Sequence, residues 1–165
     1  MSLIVETGSA SSTSESYCSV SAADARHQGL GNQDWATLTT ASKEQSLRRA
    51  TAFMEQAYRS RWAGCRVNAT QALSWPRWNV IVDEFPIDSV SVPAAVVASC
   101  ADLALKASTD TLNPDLERAV VREKIGPLET EYDRYAPQST QFRAIDMALA
   151  PYLKGSSSMA MLVRS

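Results

Sequence analysis

The sequence predicts a mainly α fold: a compact bundle of about four helices with an inserted or projecting β-hairpin and extended termini. Three observations carry it. Leu47, Ala50, Met54, Ala57 and Tyr58 recur at helical spacing. The stretch from Ala94 to Ser108 is apolar almost all round apart from Ser99, Asp102 and Lys106, as suits a central buried helix. Two short runs with β-branched residues flank a Gly126-Pro127 break, which reads as a hairpin near residues 120–132. A chain of 165 residues suits one domain and can bury roughly 70% of its unfolded surface.

Residues 1–20 are expected to form an extended arm, because Thr7 to Ser16 is too rich in Ser, Thr and Gly to enter a core. Ser21-Ala-Ala-Asp24 fits a capping box for a short helix ending near Gly29, and Gly29, Gly31, Asn32 and Asp34 make a turn. Thr39 or Thr40 can cap the amphipathic helix, which should run to about Arg61, with Gly64 at its exit. Pro76 and Pro86 then bracket a loop holding Trp78 and the run Val80 to Val82. Pro93 is placed as the first residue of the central helix. A last helix should begin near Thr140, put Phe142, Ile145, Leu149, Tyr152 and Leu153 on one face, and be distorted by Pro151. Residues 21–153 thus read as one helical domain. Residues 154–165 read as a flexible tail whose apolar end, Met159 to Val163, can dock on a neighbouring subunit.

The balance of charge excludes a dedicated basic nucleic-acid binder, since 16 cations face 18 acids for a net charge of −2. Its distribution is uneven. Lys43, Arg48, Arg49, Arg59, Arg61, Arg66 and Arg77 outnumber Glu44 and Glu55 in their stretch, whereas from Trp78 to Arg134 eleven acids outnumber five cations. Three readings fit this polarity: a solvated helix face laced by Glu44–Arg48 and Glu55–Arg59 pairs, a head-to-tail contact between copies, or a groove in which Arg48, Arg49, Arg59 and Arg66 attract phosphates while Trp62, Trp75 and Trp78 stack bases.

Nothing in the residues points to catalysis. His27 is the only histidine, is expected at the surface or partly packed, and has no nucleophile motif beside it. Cys18, Cys65 and Cys100 are odd in number and far apart, matching neither a metal-ligand spacing nor a disulfide framework. No phosphate-binding glycine pattern occurs, and the acidic groups Asp83-Glu84 and Glu129, Glu131 and Asp133 read as solvated charge. The expectation is therefore a non-enzyme without metal or cofactor. With no signal-like N-terminus and no apolar run of membrane length, it is expected to be made in the cytoplasm and to have no membrane partner.

Some strings are more specific. Tyr17, Ser21-Ala-Ala-Asp24, the Trp35 segment, Lys43-Glu-Gln-Ser-Leu-Arg-Arg-Ala50, the Trp62-x-Gly64 step, Gln71-Ala-Leu-Ser-Trp-Pro-Arg77 and Arg122-Glu-Lys-Ile-Gly-Pro-Leu-Glu-Thr-Glu-Tyr132 follow one another in a fixed order. Together they resemble a phage and prophage family labelled DnaT-like single-stranded-DNA-binding protein. The layout is also similar to the head-to-tail connector, or head-completion, proteins of tailed bacteriophages. The resemblance spans Val5 to Leu153.

The connector likeness implies a virion protein at the neck, assembled in the bacterial host as a dodecameric ring under the portal. Such a ring would extend the channel for double-stranded DNA and dock the next neck or tail component. The DnaT-like label implies single-strand binding in phage replication instead. A mildly acidic subunit favours the connector, because each cation–phosphate contact would retard sliding DNA. On that expectation Trp75, Pro76, Arg77 and Trp78 form a loop at a subunit or portal contact. Arg122, Lys124, Ile125 and Tyr132 of the hairpin reach a neighbour, and Met159, Met161 and Leu162 dock on one. Arg77→Glu would then impair assembly and leave the fold intact.

Overall fold

The structure, a computed structural model, describes residues 2–114, 122–125, 128–131 and 141–155. It is mainly α, as predicted, with small antiparallel β elements.

Helix α1 spans Val20–Leu30. Its cap is Ser19, whose Oγ accepts from the Ala22 amide, and not Ser21. Asp24, the acid expected to close the capping box, is engaged elsewhere: its Oδ1 accepts from Trp35 Nε1 at 2.7 Å and from Lys43 Nζ at 2.9 Å. The helix ends at Gly31, left-handed at φ 74°, where the Gly31 and Asn32 amides donate to the Gln28 and His27 carbonyls. The turn expected there contains a one-turn helix, α2 (Gln33–Ala36), which buries Trp35.

Helix α3 spans Thr40–Tyr58 behind a Thr39 cap and stops three residues short of Arg61. Its buried stripe, Leu47, Ala50, Met54 and Tyr58, lies against α4 (Ala94–Thr109). Pro93 is the residue before α4 and not its first member. Most of the buried residues of α4 are small, Ser99, Cys100, Ala101, Ala104 and Ala107, which lets neighbouring helices approach closely around Val96 and Leu103; Cys100 Sγ lies 3.3 Å from Thr51 Oγ1 of α3. Helix α1 joins through Arg26, paired with Asp102 at 2.7 Å, and through His27. His27 is fully buried, not superficial. Its Nε2 meets the Ala101 carbonyl at 3.0 Å and its Nδ1 meets Asn32 Nδ2 at 3.0 Å, an arrangement satisfied when the ring hydrogen is on Nε2. Helix α5 (Arg143–Leu149) buries Ile145 and Leu149 and passes at Pro151 into a 3₁₀ turn (Ala150–Tyr152).

The segment expected to be an extended arm closes into a loop. Val5 bridges Ser16, and the Glu6 amide donates to the Ser16 carbonyl at 2.8 Å. Polar residues enter the interior here because one carboxylate collects their donors. Glu6 is buried and accepts from the amides of Gly8, Ala10 and Ser11 and the hydroxyls of Ser9 and Ser14.

Between α3 and α4, where a loop was predicted, two short antiparallel pairs form. Strand β1 (Cys65–Arg66) pairs β2 (Arg77–Trp78), and β3 (Ile81–Val82) pairs β4 (Phe85–Pro86). The predicted hairpin is β5 (Arg122–Ile125) paired with β6 (Leu128–Glu131), in register Arg122 to Glu131. No helix among the described residues is long and apolar enough to cross a membrane.

Candidate nucleic-acid interface

The Trp75-Pro76-Arg77 segment was expected at a subunit contact, but all three residues are buried and hold the chain's own loops. Tyr17 donates to Glu55 on α3, and its oxygen accepts from the Ser74 and Trp75 amides. Glu55 also takes the Ser74 hydroxyl at 2.7 Å. Burial first, then the adjacent Glu55 carboxylate, push the Tyr17 phenol well above its ordinary pKa, so it remains a donor. Arg77 donates from Nε to the Ala63 carbonyl, from Nη2 to Gly64 and from Nη1 to Ser74. Its planar fork ties together the two ends of the β1–β2 excursion.

The tryptophans likewise do not form a stacking groove. Trp62 and Trp75 are fully buried and belong to an aromatic chain running Tyr58, Trp62, Trp75, Tyr152, with ring centroids 5.8, 5.7 and 6.0 Å apart. Among the four tryptophans only Trp78 is exposed.

An aromatic and cationic surface does exist, on a different face. On α3, Arg49, Phe53 and Gln56 follow at steps of four and three, so they share one stripe. Phe53 meets Phe142, at the start of α5, edge to face with centroids 5.3 Å apart. Three hollows surround this pair. One of about 350 Å³ reaches Arg61 and Asp146, one of about 240 Å³ reaches Arg49 and Asp110, and one of about 430 Å³ lies between α4 and α5 with Lys106 and Arg143 at its walls. Lys106 Nζ is 5.8 Å from the Phe142 ring centroid.

Four cations therefore surround two half-buried rings. The acids nearby are partly spoken for, since Asp102 is matched by Arg26 and Asp146 accepts from Tyr58 at 2.7 Å. Burial, followed by the Asp146 hydrogen bond, raises the Tyr58 pKa and keeps it a donor. Among the described residues, Asp110 is the remaining carboxylate in the lining. Such a surface attracts phosphates and offers π-faces to unstacked bases.

Of the four arginines expected to face nucleic acid, only Arg49 lines this cleft. Arg48 is held by Glu15 at 2.9 Å and by Glu44 at 3.5 Å. Arg59 is exposed at the end of α3, and Arg66 donates to the Gln71 carbonyl. Arg122, Lys124 and Ile125 are on β5. Tyr132, Met159, Met161 and Leu162 lie outside the described residues. Phe53, Arg61, Lys106, Phe142 and Arg143, which also line it, are not among the residues expected at a contact. The Arg49–Phe53 step was a visible signal, but Lys106, Phe142 and Arg143 become neighbours of it only when α4 and α5 pack on α3. Among the described residues, no three His, Cys, Asp or Glu gather where they could hold a metal.

A family model matches residues 1–165, and its family is described as "Putative DnaT-like ssDNA binding protein". No curated protein and no solved structure matches. The family match overturns the head-to-tail adaptor expectation in favour of its single-strand-binding alternative. The ring, the portal and tail partners and the place at the virion neck are set aside with it. The physical argument for the connector was weak because it used net charge, whereas phosphate binding depends on local charge.

Proposed function

The chain belongs to this DnaT-like single-stranded-DNA-binding family, and from that premise we propose that it is a non-catalytic binder of single-stranded DNA in phage replication, with the Phe53–Phe142 cleft as its contact surface. The observation that carries the reading is the placement of Arg49, Arg61, Lys106 and Arg143 around the edge-to-face phenylalanine pair. Unpaired bases bring exposed π-faces to the rings, each stacked base contributing about 1–3 kcal/mol, while the cations take the phosphates.

Salt dependence gives the test. With four phosphates neutralised, log Kobs should fall against log salt with a slope of about −3 for a single strand. Fluorescence anisotropy of a labelled oligothymidylate across a salt series measures it. Arg49→Gln and Lys106→Gln alter exposed ends of side chains and should leave the fold intact; each should cut the slope by about 0.7. If the double variant keeps wild-type affinity and slope, the cleft is not the interface. Phe142→Leu keeps an apolar side chain and should weaken binding with little change in slope.

A further inference from the structure

We propose that the hollow between α1, α2 and the start of α3 is a binding site for a guanine base, read along its O6, N1 and N2 edge by Lys43 and Asp24. The hollow holds about 360 Å³, toward the small end of ligand pockets, which run about 300–1,000 Å³. Asp24, Gln28, Asn32, Gln33, Trp35 and Lys43 line it, whereas neither Phe53 nor Phe142 does.

The two charged groups are fixed against each other. Asp24 Oδ1 accepts from Trp35 Nε1 at 2.7 Å and from Lys43 Nζ at 2.9 Å, which uses both lone pairs of that oxygen. Among the described residues no donor meets Oδ2, so its two lone pairs are open. Burial raises the Asp24 carboxyl, but the bonds from Lys43 and Trp35 outweigh it and hold the group below its ordinary value, so it is a carboxylate at neutral pH. The Lys43 side chain is only 12% exposed, and its ammonium keeps two hydrogens beyond the one given to Asp24.

An open carboxylate oxygen beside an ammonium matches two adjacent donors followed by an acceptor. Guanine has that order on one edge, the N2 amine and the N1–H next to O6, so Asp24 takes both hydrogens and Lys43 gives one to O6. Thymine has a single N–H between two carbonyls, and its second carbonyl would face the carboxylate. Adenine and cytosine have one amino group beside a ring-nitrogen acceptor and no second donor there. Asn32 also lines the hollow that contains Lys106, Phe142 and Arg143, so the base can belong to a strand as well as to a free nucleotide.

Two measurements on the full-length protein test this: calorimetry with the four deoxynucleoside monophosphates, and anisotropy competition with oligothymidylates carrying one central guanine, inosine or 7-deazaguanine. Guanine should be preferred over the other bases by about tenfold. Inosine lacks the N2 amine and should lose most of that gain, while 7-deazaguanine keeps the whole edge and should match guanine. Asp24→Asn leaves an oxygen for Trp35 and Lys43 but turns an amide NH₂ toward the two donors, and should abolish the preference with far-UV circular dichroism unchanged. Should that variant fail to fold, the inosine comparison on the unmodified chain decides. A preference seen only with the monophosphate supports the site as one for a free nucleotide, even if oligothymidylate does not bind at all; a preference seen only in oligonucleotides supports a base within a strand. No guanine preference in either format, inosine equal to guanine, or a preference that survives in folded Asp24→Asn would overturn the proposal.

Discussion

Replacing Arg77 with methionine tests whether this arginine is a structural tie. The side chain is buried and donates to three carbonyls, Ala63 at 2.6 Å, Gly64 at 2.8 Å and Ser74 at 3.2 Å. Hydrogen bonds from a charged donor contribute about 1.5–3 kcal/mol each, so three at the lower figure amount to about 4.5 kcal/mol. Burial opposes this, as its depressing effect on the Arg77 pKa indicates, and three bonds sharing one guanidinium are not fully additive, so the net falls below that sum. Methionine fills much of the stem's volume and keeps the cavity small. The net loss is about 3 kcal/mol. For a chain of this size that lowers Tm by roughly 6–12 °C. Urea unfolding followed by circular dichroism should show an earlier midpoint at unchanged slope. Arg77→Lys should recover only part of the loss, because an ammonium lacks the planar fork that spans three acceptors. A loss below about 1 kcal/mol in Arg77→Met would refute the reasoning and return Arg77 to the surface role expected from sequence. Arg77→Glu should be worse than methionine, since it buries an anion against the same carbonyls.

Burial alone would raise the Glu6 carboxyl, but donation from Gly8, Ser14, Ser11 and Ala10 holds it below its ordinary value. Its folded pKa is thus depressed, so the stabilisation is present above the unfolded-chain value and is lost as pH falls through the folded one. Glu6→Gln, which turns an amide NH₂ toward these donors, should cost about 2–4 kcal/mol at neutral pH and flatten the acid limb of stability against pH. Thiol labelling of native protein should find one fast cysteine, removed by Cys65→Ser, because Cys65 is exposed while burial raises the Cys18 thiol to about 12 and also raises Cys100. Gly64→Ala should destabilise by more than about 2 kcal/mol, as Gly64 has φ 64° and an added Cβ would stand 2.3 Å from the Trp78 carbonyl oxygen. Gly29→Ala should instead stabilise by up to about 1 kcal/mol, since Gly29 is inside α1 with open space beside it.

Periodicity and caps alone were enough for α3, α4, the last helix with its distortion at Pro151, and the β5–β6 hairpin, because each is decided by residues a few positions apart. The mainly α class follows from those elements. What only the tertiary structure decided is where polar and aromatic groups go. Arg77 reads as a surface cation until Ala63 and Gly64 are folded back beside it. Trp75 reads as a stacking platform until Tyr17, far away in sequence, takes its amide hydrogen and Trp62 covers its ring. Glu6 draws a Ser- and Gly-rich segment into a closed loop that composition alone marks as too polar to bury. The cleft needs Arg49 and Phe53 of α3, Lys106 of α4, and Phe142 and Arg143 at the start of α5, brought together by packing. A side chain's own chemistry sets what it can bond; its exposure depends on partners that local sequence does not contain, and for this chain that separates a surface arginine from a structural one.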